Sequence, residues 1–142
     1  MSRILQKIST FARLSHRRKG LFMFAFLLSF YSFVRLRFFR KHARFKNGPA
    51  GVNQVNTTIA GDIRWAISTV SNYVFWENVC RHQAFQAWWL CRYYHQPCRV
   101  YIGFRKDQLT GITEGHAWTM LGNEMITGFC RPEDFVVMNV FE

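Results

Sequence analysis

The hydrophobic period of the chain changes once, at Gln96-Pro97, and that change limits the fold more than any other feature. Before it, Cys80, Ala84, Ala87, Trp88 and Cys91 fall at i, i+4, i+7, i+8 and i+11, one stripe of an α-helix over residues 79–94. Ahead of that helix, Ile63, Ala66, Ile67, Val70 and Tyr73 share a face of another helix over residues 62–73. Asp62 is its expected N-cap, because a carboxylate there accepts from first-turn N–H groups. After Pro97 the period is two: Val100, Ile102 and Phe104 alternate with Arg99, Tyr101 and Gly103. Residues 116–121 and 124–129 flank Gly122-Asn123, a two-residue hairpin signal, and residues 134–141 supply a last strand. Helices followed by a small antiparallel sheet define an α+β core.

Charge separates this core from what precedes it. Of the 19 Lys and Arg residues, 12 lie in residues 1–61, which hold no Asp or Glu; residues 62–142 hold 7 basic and 8 acidic side chains. Residues 1–46 read as a basic, apolar helical segment, residues 45–61, with Asn47-Gly48-Pro49 and Gly51, as a linker, and residues 62–142 as the α+β domain. Inside the first segment, residues 21–34 carry no charge. As a helix this run spans about 21 Å, against a hydrocarbon core of about 30 Å. It therefore reads as a helix packed on the domain or a partner, or lying on the inner membrane surface. A full span requires Arg35 and Arg37 to snorkel. The basic block calls for an anionic or acidic partner. Of lipid head groups, nucleic acid and an acidic protein, nucleic acid is the weakest candidate and is not expected, because the block is interleaved with apolar residues and matches no nucleic-acid module. Without a signal-peptide cleavage pattern, the four cysteines (Cys80, Cys91, Cys98, Cys130) read as reduced thiols in the cytoplasm.

The residues able to do chemistry are Cys80, at the head of the helix, and His116, in Gly115-His116-Ala117-Trp118 on a later strand. A cysteine nucleophile works as a thiolate, and a helix N-terminus favours that form through its unpaired N–H groups and partial positive charge. An imidazole nearby takes the proton and returns it to a leaving amine. Each residue taken alone has a blander reading, a small buried thiol and a satisfied strand histidine; the order helix-cysteine, strand, strand-histidine raises them together. Gln83 is a weaker candidate, as an oxyanion donor. Cys91, His95 and Cys98 form a single Cys-x3-His-x2-Cys cluster, which a helix end and turn explains better than zinc, since structural zinc needs four such ligands. No metal and no cofactor is expected.

From residue 76 to the end, the order of elements resembles the stand-alone leader peptidases of lasso-peptide biosynthesis, members of the transglutaminase-like superfamily. The resemblance rests on Cys80 opening a helix, Pro97 turning into Val100-Tyr101-Ile102-Gly103, the His116-Ala117-Trp118 strand, and Phe135-Val136-Val137-Met138. It implies a transglutaminase-like, papain-like core and a cysteine peptidase that removes the leader from a lasso precursor peptide. It further implies a separate leader-binding protein that delivers the substrate and an ATP-dependent macrolactam synthetase that takes the product. Relatives place an Asp on the strand after the histidine to orient the imidazole. Pairing across Gly122-Asn123 sets Thr127, Gly128 and Phe129 opposite Trp118, Ala117 and His116, and none of these is acidic. Another side chain or a backbone carbonyl orients His116, or the enzyme is slow. Two rivals stay open: a catalytically weak or inactive scaffold of the same fold that binds precursor or membrane, and a membrane-surface protein whose Cys80 is structural.

Overall fold

The computed structural model describes residues 9–39, 45 and 54–142; the linker turn at Asn47-Gly48-Pro49 and the first eight residues lie outside that range. Helix α1, His16–Phe38, outruns the uncharged stretch at both ends, taking in Arg17, Arg18 and Lys19 at its start and Arg35 and Arg37 in its last turn. Cations at that end complement the partial negative charge of the last carbonyls. Its buried positions are Leu21, Ala25, Ser29 and Ser32, so the stripe facing the protein is mostly small. The Ser29 and Ser32 hydroxyls donate to the carbonyls of Phe26 (2.7 Å) and Ser29 (2.9 Å), which removes most of the penalty for burying them. Met23, Leu27, Phe30 and Tyr31 form a second apolar stripe, about half exposed, in which Phe30 meets Trp76 edge-on at 5.3 Å and Tyr31 stacks on Phe85 at 6.1 Å. Among the described residues α1 is the one helix long and apolar enough to cross a bilayer, and its inner stripe lies in the same core as the rest of the chain.

Helix α2, Thr57–Tyr73, begins before Asp62. Asn56 is the cap: its side-chain oxygen accepts from the N–H groups of Thr58 and Ile59, both at 3.1 Å. The expected capping role of Asp62 is therefore corrected. Asp62 lies within α2, 2% exposed, and its two carboxylate oxygens accept from Arg17 and, at 2.8 Å, from Arg18 of α1. Arg18 also lies over the Trp65 ring at 5.4 Å. Two cations of the N-terminal block thus clasp α1 to α2 instead of facing a partner. Ile63, Ala66, Ile67 and Val70 are buried as their spacing requires, whereas Tyr73 at the end of the stripe is exposed.

Helix α3, Cys80–Tyr93, buries Ala84, Ala87, Trp88, Leu90 and Cys91. It ends at His95, whose φ of 52° is left-handed, with His95 N–H bonded to Arg92 O (3.1 Å) and Gln96 N–H to Cys91 O (2.8 Å). This pair of bonds is a Schellman closure, and Pro97 follows where no helix can continue. Four strands then form one antiparallel sheet in the order β3-β2-β1-β4: β1 Cys98–Lys106, β2 Thr113–Leu121, β3 Glu124–Thr127 and β4 Val136–Phe141. A short 3-10 turn, Pro132–Asp134, precedes β4. Cys98, Val100, Ala117 and Leu121 join Ile126 and the three helices in one core cluster. The architecture is α+β, helices before strands.

Candidate active site

Cys80 owes its position to hydrogen bonds around the head of α3. Val79, in extended conformation, has no side chain able to cap, and its carbonyl accepts from His82 N–H (2.9 Å) and Gln83 N–H (3.1 Å). The N–H groups of Cys80 and Arg81 precede any intrahelical acceptor, so the positive end of α3 coincides with the thiol. The approach loop is tied back by two amides. Gln83 Nε2 donates to Ser71 Oγ (3.0 Å) and to Asn78 O (2.9 Å), and Gln86 Nε2 donates to Asn78 Oδ1 (2.6 Å). With its amide donors engaged in this way, Gln83 works as a brace for the loop rather than as an oxyanion donor. Cys80 itself is half-buried against the edge of the core.

His116 sits half-buried on β2, opposite Gly103 of β1. Its Nε2 lies 2.9 Å from the carbonyl oxygen of Gly128. A carbonyl only accepts, so Nε2 carries the hydrogen and Nδ1 is left with the lone pair. The ring is held on its faces as well, stacked with Phe135 (centroids 5.3 Å apart, 27°) and Trp118 (6.3 Å, 23°). Trp118 in turn lies parallel to Tyr101 at 5.5 Å. Gly103 makes room for this stack: a Cβ there would come within 2.8 Å of Val136 O and 3.2 Å of the Trp118 ring.

Gly128 has φ +67°, and a Cβ on it would fall 2.1 Å from Ala117 O and 2.8 Å from Trp118 Cα. Only glycine fits, and its carbonyl is thereby turned towards the imidazole. The hairpin register also differs from the expected one. Leu121 pairs with Glu124 and Met120 with Met125, but a bulge next to Thr119 shifts the ladder so that Thr127 faces Thr119 instead of Trp118. Bulges re-aim the residues beyond them, and here the residue that follows is Gly128.

Cys80 and His116 both border the segment after β3. Gly128 holds the imidazole, and two residues on, the Cys130 thiol lies within electrostatic reach of Cys80. Burial, with the charges of Glu133 and Asp134, pushes the Cys130 thiol up from its ordinary value. No hydrogen bond joins Cys80 to His116. The imidazole shares its sheet face with Trp118, while Cys80 packs against the core cluster that includes Ala117.

A family model described as the transglutaminase-like superfamily matches residues 21–140. The chain belongs to this superfamily. No curated protein and no solved structure matches it. For a transglutaminase-like chain the departure lies in the group behind the histidine: where the resemblance implies an Asp, a main-chain carbonyl occupies the place. Two cysteines of this transglutaminase-like domain, Cys91 and Cys98, lie at the far end of α3 from Cys80. Cys91 and Cys98 share a thiol–thiol hydrogen bond beneath the α3–β1 turn, which raises Cys91 and lowers Cys98. His95 serves as the left-handed closure of α3. Among the described residues, no group of three or more His, Cys, Asp or Glu side chains is gathered to hold a metal.

Proposed function

We propose that this transglutaminase-like protein is a cysteine peptidase that removes the leader from a lasso-peptide precursor, with Cys80 as nucleophile and His116 as acid–base. The observation that carries this reading is the Gly128 carbonyl on Nε2 of His116, which leaves Nδ1 as the basic nitrogen of an oriented imidazole. Cys80 Sγ attacks the carbonyl carbon at the leader–core junction as its proton passes to His116. The C–N bond breaks, leaving the leader as a thioester on Cys80, and the imidazolium returns the proton to the freed core amine. Water, deprotonated by His116, then hydrolyses the thioester and releases the leader acid. The N–H groups at the start of α3 supply donors for the oxyanion. In the ligand-free protein the thiol and imidazole are not hydrogen-bonded, and such bonds tighten when substrate fills the site.

In this account a separate leader-binding protein delivers the precursor, and an ATP-dependent macrolactam synthetase receives the new N-terminus. The outer stripe of α1, Met23, Leu27, Phe30 and Tyr31, is the surface for that assembly or for the inner face of the membrane, with the protein in the cytoplasm.

One observation favours a second reading, a scaffold of the same fold that binds precursor without cutting it: the imidazole is backed by a neutral carbonyl and stands apart from the thiol. Mass spectrometry of the precursor, incubated with its leader-binding protein and either wild-type chain or Cys80→Ala, separates the two. Cleavage at one bond by the wild type alone supports the peptidase; no cleavage by either, with the complex intact, supports the scaffold.

A further inference from the structure

Between the last turns of α1 and the head of α3 lies a cavity of about 220 Å³, lined by Phe33, Leu36, Arg37, Glu77, Arg81 and His82. Its charges do not balance. Arg37 and Arg81 contribute two guanidinium groups, and Glu77, paired with Arg81 at 3.1 Å, contributes one carboxylate. His82 is 1% exposed, and its Nδ1 has no hydrogen-bond partner. In the neighbouring amide pair, Asn78 Nδ2 and Gln86 Oε1 are also buried and unpartnered. Buried polar atoms are normally satisfied, so the unpartnered His82 Nδ1 on the cavity wall marks a place where a polar ligand completes the network.

We infer that this cavity is a subsite for an acidic side chain of the peptide substrate, its carboxylate meeting Arg37, Arg81 and His82 and its methylene stem lying on Phe33 and Leu36. The mixed lining favours a carboxylate on an aliphatic stem over a bare inorganic anion, which has nothing to place against the two apolar side chains. Location makes the occupant a substrate residue. Arg81 and His82 directly follow Cys80 at the head of α3, so the cavity lies beside the helix end that a peptide bound at Cys80 reaches. The assignment rests on Cys80 being the point that a peptide approaches; it does not require that the bond be cut.

The test uses the full chain carrying Cys80→Ala, so that binding is read without turnover. Two blocked tetrapeptides, acetyl-Gly-Glu-Gly-Gly-amide and its Gln counterpart, are titrated while the His82 imidazole resonances are followed by NMR. The Glu peptide is expected to shift those resonances and to saturate at least tenfold below the Gln peptide. Arg37→Gln, an exposed position that leaves the fold intact, is expected to erase the difference. Equal affinities, or a Glu peptide that leaves His82 unmoved, overturn the inference. Inorganic phosphate that moves the same resonances at lower concentration than the Glu peptide also overturns it, in favour of a free-anion site. If these binding results hold while wild-type chain fails to cleave precursor, the peptidase reading falls and the subsite stands.

Discussion

His116 Nε2 and the carbonyl oxygen of Gly128 are 2.9 Å apart, so a main-chain acceptor takes the orienting role that a carboxylate takes in a Cys-His-Asp arrangement. Gly128→Ala is expected to break this relationship, since the new Cβ meets Ala117 O and the backbone forbids it by its sign of φ. The variant should lose about 2–5 kcal/mol of stability from backbone strain and overpacking. Precursor cleavage should drop by about a hundredfold or more, in line with loss of an oriented acid–base. Thermal unfolding and a cleavage assay at a temperature where the variant is folded read the two effects separately.

The clasp between α1 and α2 gives a stability prediction free of catalysis. Asp62→Asn removes a buried carboxylate that accepts from both Arg17 and Arg18. The arginines are about half exposed and can turn to water, so the loss is about 1–3 kcal/mol rather than that of a fully buried pair. Urea unfolding measures it, and mutating both arginines to Gln should bring a larger loss, because it leaves the Asp62 carboxylate buried without a charge partner.

On the outer side of α1, Leu27→Gln and Phe30→Gln change residues that are 60% and 50% exposed. Stability should fall by about 1 kcal/mol, because Phe30 meets the Trp76 ring edge-on at 5.3 Å. Co-purification with the leader-binding protein, or sedimentation with anionic vesicles, should fall. If both associations persist in the double variant, this stripe is not the docking surface.

Stability should also depend on pH through His82. Burial, reinforced by Arg81 and opposed by Glu77, holds its pKa below the ordinary 6.5. As pH falls through 6.5 the unfolded chain takes up the proton first, so it binds more protons than the fold and stability declines. Above that value both states are neutral and the contribution is flat. Urea midpoints between pH 8 and 5 should therefore fall on the acid side, and less steeply for His82→Gln; identical slopes would contradict this.

Much of this arrangement is legible in the residues. The change of period at Pro97 announces helices before strands, and the stripe from Cys80 to Cys91 lies on the buried face of α3. Gly122-Asn123 turns the hairpin between β2 and β3. What is not legible depends on contacts far apart in the chain. Asp62 has the chemistry of a cap, but Asn56 lies earlier and takes that role, while Arg17 and Arg18, 45 and 44 residues away, claim the carboxylate. The group orienting His116 has no side chain, so no residue type encodes it. Its only trace is a glycine after a strand, and the bulge at Thr119 displaces even the register that would locate it. His82 and Gln86 stand four residues apart on α3, but the cavity at His82 forms only where Phe33, Leu36 and Arg37 of α1 meet it.

The most direct test of the account is intact-protein mass spectrometry of the wild-type chain, quenched in acid during turnover of the precursor with its leader-binding protein. The account predicts a species heavier by the leader less one water, mapped to Cys80 by peptide digestion, and absent from Cys80→Ala together with all cleavage. Cleavage that continues in Cys80→Ala, with no adduct on the wild type, would contradict it.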